Sequence, residues 1–212
     1  MCQFVAMMTV QVAPDRLDEI LNAAFYAFAQ YGYRRTSMDD IARGAGLSRT
    51  ALYQHFRNKE DLFRRLTLRF FDSACLDLQQ ALAEPGQSAA DAILAGLIAK
   101  DGKFMQVVLG TPHGSELMDA GTAISADIVA AGEARMQALF ADWMAQNGVA
   151  QDLGTPATIA AALMLALKGL KTGAASLADY RAGQHQLARV FGRALEQAAP
   201  GEQTAGQTSV SR

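Results

Sequence analysis

Four residues within "LSRTALYQHFRNKEDL", residues 47–62, could do chemistry together. On a helix over Arg49–Phe56, Arg49, Thr50, Tyr53 and Gln54 fall at i, i+1, i+4 and i+5, one contiguous face. Leu52 and Phe56 lie four apart and join Leu47 in facing a core. The outward face suits the major groove of a duplex. Arginine bonds a guanine edge, glutamine an adenine edge, and threonine meets a thymine methyl or a phosphate. Tyr53 can give its hydroxyl to a phosphate while its ring lies against sugar. Lys59 heads the next helix and is expected to grip the flanking backbone, helped by the positive helix end.

Other chemistry finds little support. His55, His113 and His185 lie far apart, and Cys2 and Cys75 make no ligand pair, so no metal is expected. There is no nucleophile–base constellation and no glycine-rich phosphate loop, so neither a cofactor nor enzymatic activity is expected.

The elements that must position these residues are helices. Leu17, Ile20, Leu21, Ala24, Phe25 and Phe28 mark a first helix, with Asp15 as its N-cap and Gly32 as its stop. Ser37 and Asp40 have capping-box spacing ahead of a second helix at 38–45. Gly46 suits a left-handed turn, and Ser48 caps the third helix. A steep helix pair joined by a tight glycine turn is a helix-turn-helix, here over residues 37–56. Asn58, with Asp61, opens a long fourth helix that "EPGQS" ends after residue 83. Further helices are expected at 88–100, 104–109, 124–146, 155–175 and 179–198. "GTPHGS" is read as a break, and Thr155-Pro156 as a cap with proline at the first helical position. The expected fold class is all-α, about nine helices: an N-terminal three-helix unit, then a larger helical domain.

At this density of signals the segment "TSMDDIARGAGLSRTALYQHFRNKEDLF" resembles the DNA-binding part of TetR-family transcriptional regulators. The resemblance rests on Thr36, Ser37, Ile41, Ala42, Ala45, Gly46, Ser48, Leu52, Tyr53, His55, Phe56, Lys59, Glu60 and Leu62 at fixed spacing. It implies a DNA-binding domain over residues 14–74 and a helical effector-binding and dimerisation domain over 75–198; the tail at 199–212 lacks apolar periodicity and is expected to be disordered. It implies DNA contact by Thr36, Ser37, Arg49, Thr50, Ala51, Tyr53, Gln54, His55 and Lys59. Many members have Gly-Thr where this chain has Thr50-Ala51, and Ala51 offers only a methyl group. Helical geometry puts His55 near the inner face, whereas the resemblance puts it outside.

The larger half carries two apolar stripes. Ile159, Leu163, Leu167 and Leu170 share one helix face; Leu187, Val190, Phe191 and Ala194 share another. Two such helices per subunit could form a four-helix bundle across a two-fold axis, so these eight are the expected homodimer interface. Phe104, Met105, Met118, Trp143, Met144 and Met164 could line a pocket for a small apolar or amphipathic effector, with His113 as its polar anchor.

Composition agrees with this division. Residues 1–70 hold ten Lys/Arg against seven Asp/Glu, and the remainder nine against fourteen. A mildly basic front can meet a phosphate backbone although the whole chain carries a net charge of −2. The apolar start "MCQFVAMMTV" lacks a basic segment and is expected to be a loose leader, with Met7 or Met8 as alternative initiators. No apolar run reaches membrane-spanning length, so no membrane partner and a cytoplasmic location are expected. The leading expectation is a homodimeric repressor, bound to a double-stranded operator and released by an effector. The alternative is a DNA binder of the same fold that works through a protein partner and takes no effector.

Overall fold

The computed structural model describes residues 16–149 and 151–196. They form nine α-helices and one short 3-10 turn at Gln151–Leu153, with no strand among the described residues. The expected leader, the Asp15 cap and the 199–212 tail lie outside them.

The chain packs as two compact units. The first holds residues up to Leu66 together with Thr111–Ser125. Its helices are α1 (Arg16–Tyr31), α2 (Met38–Gly44), α3 (Arg49–His55), the start of α4 (Lys59–Ala83) and α6 (Gly114–Ile124). Its core is built from the periodic apolar residues: Ile20, Leu21 and Phe28 from α1, Ile41 from α2, Leu52 and Phe56 around α3, and Leu62 and Phe63 from α4. The rings of Phe28, Tyr33 and Phe63 meet with centroids 5.1–5.7 Å apart, the tilted and edge-on geometry that aromatic quadrupoles favour.

The second unit holds Thr67–Gly110 and the residues from Ala126 onward. Its helices are the rest of α4, α5 (Ala89–Gly110), α7 (Ala126–Asn147), α8 (Pro156–Gly173) and α9 (Leu177–Glu196). Leu78, Ile93, Leu97, Met105, Met136, Phe140, Met144, Leu163 and Leu167 are buried in it. Helices α5 and α9 approach so closely that a Cβ on Gly192 would collide with the backbone of Ala90. Only glycine permits that crossing.

Three expectations are corrected here. The helices expected at 88–100 and 104–109 are one continuous α5. Gly102 costs about 1 kcal/mol of helix propensity, but its neighbours Lys100 and Asp101 are anchored in the interior and hold the helix through it. Helix α6 was not expected at all, because "GTPHGS" reads as a break. Its first turn has no side-chain cap; instead the amide of His113 donates to the Ala29 carbonyl of α1 at 3.1 Å. Packing also divides the chain away from the expected boundary at 74/75, since α4 changes units at Leu66 and α6 belongs with α1.

The stripes and the pocket are corrected as well. Leu163 and Leu167 are wholly buried within the second unit, so they cannot reach a partner subunit. The outward side of α8 instead carries Ala162, Leu165 and Gly169, and Leu165 is 70% exposed. Ile159, Leu170, Leu187, Phe191 and Ala194 are half-buried, and Val190 is 55% exposed. The seven expected effector residues are divided between the two units. His113 and Met118 lie in the first unit, while Phe104, Met105, Trp143, Met144 and Met164 lie in the second. Met105 and Met144 are fully buried core.

Candidate nucleic-acid interface

The head of the first unit is built by its helix ends. Ser37 accepts a hydrogen bond at Oγ from the Asp40 amide at 3.2 Å, and the Asp40 carboxylate accepts from the Ser37 amide at 3.0 Å. This reciprocal box starts α2. The Ser37 hydroxyl also donates to Asp40 at 2.6 Å, and these bonds hold the carboxyl below the usual aspartate range. Gly46 then turns the chain at φ +64°, a conformation that strains any residue with a Cβ. The Leu47 amide donates to the Ala42 carbonyl at 2.8 Å, closing the turn. Ser48 caps α3 by accepting from the Ala51 amide at 3.1 Å. Asn58 starts α4 by accepting from the Asp61 amide at 2.8 Å, and the Asp61 carboxylate accepts from the Arg57 amide at 3.0 Å.

Helix α3 buries Leu52, with Phe56 just past its end. Its other side presents Arg49, Thr50, Tyr53 and Gln54 to solvent, with Tyr53 41% exposed. Arg49 is not free to wander. Its guanidinium donates to Asp39 of α2 at 2.8 Å and lies 5.5 Å from the centroid of the Tyr53 ring. A planar guanidinium held on one edge by a carboxylate keeps its other edge for a bidentate partner. The second oxygen of Asp39 is buried without a hydrogen-bond partner among the described residues. His55 is exposed at the end of α3, which decides between its two alternatives against an interior role. Ala51 is half-buried.

Two expected contacts have other work. Thr36 is buried, its hydroxyl within reach of the Gly32 carbonyl at 2.8 Å and the Ala27 carbonyl at 3.2 Å. The Lys59 ammonium has three hydrogens and three carbonyls to receive them: Tyr33 at 2.8 Å, Thr36 at 2.9 Å and Arg34 at 3.2 Å. It also lies 4.6 Å from the Tyr33 ring centroid, and burial pushes its pKa down. Lys59 therefore clasps the loop between α1 and α2 rather than offering a charge outward. Sequence reasoning missed Asp39, the partner of Arg49, and Arg16, which donates to the Ala45 carbonyl at 3.2 Å and ties α1 to the turn. Neither carries a local signal, since their partners lie 10 and 29 residues away.

A capped helix pair at a glycine turn, with a polar recognition face on its second helix, defines a helix-turn-helix protein. Residues 20–66 match the family model described as "Bacterial regulatory proteins, tetR family". The likeness to TetR-family regulators covers the helix-turn-helix unit of this chain. It is 40% identical over 62 residues to the HTH-type transcriptional regulator AcrR of Shigella flexneri, covering 29% of each chain. It is 33% identical over 98 residues to the HTH-type transcriptional repressor KstR2 of Mycobacterium tuberculosis, covering 45% of this chain and 49% of that one. The matched segments thus span under half the length of these relatives. Among solved structures, a transcriptional regulator from Rhodococcus sp. Rha1 superposes with a TM-score of 0.65 at 19% identity, covering 86% of this chain and 97% of that one. That likeness shows the fold.

Proposed function

We propose that this chain is a sequence-specific, double-stranded-DNA-binding transcriptional regulator of the cytoplasm. It acts as a homodimeric repressor, and a small effector releases it from its operator. The observation that carries this reading is the outer face of α3: Arg49, Thr50, Tyr53 and Gln54 lie exposed together on a helix whose other side is core. Groove readers need that arrangement, because base edges are recognised by side chains projecting from a rigidly seated helix. Ser37 and His55 stand beside this face and are proposed to meet phosphates, where contacts fix register without reading sequence.

The homodimer is supported by the outward surface of the second unit. Ala162, Leu165 and Gly169 are exposed on α8, and Val190 is exposed on α9. The small residues would let a second copy come close. Repression is supported by the name of the KstR2 relative.

Genomic fragments captured by the purified protein and then footprinted should share two inverted half-sites, centred about 10 base pairs or a multiple of that apart. Protection of one isolated half-site by a sedimenting monomer would refute the dimeric reading.

A further inference from the structure

The second unit contains a cavity of about 540 Å³ between α4, α5 and α9. Its size falls within the range of small-molecule sites, about 300–1,000 Å³. Its lining is graded. Ile98 and Leu177 supply apolar surface. Tyr180 and Gln184, both buried, supply polar groups. Lys103 and Arg181 stand around the opening with His185, against Asp77 as the one carboxylate.

The charges at this opening do not follow from composition. Residues 71–212 hold nine Lys/Arg against fourteen Asp/Glu, yet the cavity gathers cationic side chains. Arg181 and His185 are one helical turn apart, and neither has an ion pair or hydrogen bond with the described residues. Lys103 meets Asp77 only at 3.5 Å and is almost fully exposed. Gln184 donates through Nε2 to the Leu97 carbonyl at 3.0 Å, and its amide oxygen has no partner among the described residues. Arg181 is thus an uncommitted cation beside an apolar surface, and the Gln184 amide oxygen is a free acceptor.

We propose that this cavity is the effector site and that it takes an amphipathic organic anion: a carboxylate on an apolar chain. The carboxylate lies against Arg181 and His185, and the chain lies over Ile98 and Leu177. The proposal rests on the effector-responsive reading above and names the ligand class that reading leaves open. The cavity also touches the means of response. The hydroxyl of Tyr180 donates to Asp101 at 3.2 Å, and Asp101 pairs with Lys171 of α8 at 2.9 Å. A ligand that moves Tyr180 therefore acts on a joint shared by α5, α8 and α9. An effector shifts a conformational equilibrium only through such differential contacts.

Octanoate and 1-octanol are the probes, titrated into the full chain by calorimetry. Octanoate should bind saturably, and octanol at least tenfold more weakly. Arg181→Ala should weaken octanoate at least tenfold and leave octanol unchanged. Gly102→Leu should abolish both: a Cβ there meets only Ile98 at 3.4 Å, so helix α5 accepts the side chain and its bulk fills the cavity. Circular dichroism confirms that both variants are folded. No saturable octanoate binding to the unaltered chain, or undiminished binding to Gly102→Leu, overturns the proposal. Operator release by any compound that persists in full in Gly102→Leu also overturns it, but leaves the effector-responsive reading standing. Octanoate bound at this cavity with no change in operator affinity does the reverse: the site stands and the reading falls.

Discussion

In the first unit several charged and hydroxylic side chains sit at the surface and serve helix ends. Ser37 and Asp40 box α2, Ser48 caps α3, and Asp39 steadies Arg49 at the surface. In the second unit they sit inside. Lys100 and Asp101 are almost wholly buried on α5, and they meet Glu133 of α7, Lys171 of α8 and Tyr180 of α9. Two lysines and two carboxylates there balance in charge. The contrast teaches that the two units are held by different forces. Local caps set the head's helices individually, so its recognition face can be built from one short stretch. The body's helices are tied through one low-dielectric cluster, in which disturbing any member disturbs all four helices.

The largest effect is expected where the charges are buried. Burial would raise the Asp101 carboxyl, but Lys171 and Lys100 outweigh it and bring the pKa below the ordinary aspartate range. Its contribution to stability is therefore present above the unfolded aspartate value and lost as pH falls through the lower folded value. Asp101→Asn leaves two buried lysines facing one partly exposed glutamate. It should destabilise the second unit by about 3–5 kcal/mol and remove this carboxyl's share of the acid sensitivity. Denaturant titration followed by Trp143, the single tryptophan, reads that unit. A change below about 1 kcal/mol, comparable to an exposed ion pair, would erase the contrast between the units.

A smaller effect sharpens the same comparison inside the head. Lys59 is a cation directed at the protein's own carbonyls. Lys59→Met keeps the apolar stem and should cost about 1–3 kcal/mol of head stability, the worth of hydrogen bonds to a charged group. The salt dependence of operator binding should stay unchanged in slope. Loss of about 0.9 from that slope would mean that Lys59 neutralises a phosphate after all.

The unequal legibility of the sequence has the same origin. Caps and turns are signals within three or four residues, so Ser37-Asp40, Gly46, Ser48, Asn58-Asp61 and Thr155-Pro156 could be read from types and spacing. The outward face of α3 was legible too, since Leu52 and Phe56 declare the inner side. Helix α6 was not, because a carbonyl of α1 supports its first turn in place of a side-chain cap. The Lys59 clasp reaches back over 20 residues to its carbonyls. Lys100 and Asp101 look like a solvated helix end until α7, α8 and α9 arrive. In α8, "AALMLALKGL" is apolar on nearly every side. Periodicity finds its stripes but cannot say which one the unit buries, so it assigns Leu163 and Leu167 to the outer face that Leu165 occupies.

The central claim is that the outer face of α3 reads DNA, and Tyr53 tests it most directly. It is exposed at the middle of that face and stacks beside Arg49 without supporting the core. The measurement is the affinity of Tyr53→Ala for a selected operator at fixed salt, beside its melting temperature and its mass in solution. The account predicts a loss of at least tenfold in operator affinity, about 1.4 kcal/mol, with melting temperature and mass unchanged. Unaltered affinity in a folded protein would contradict it.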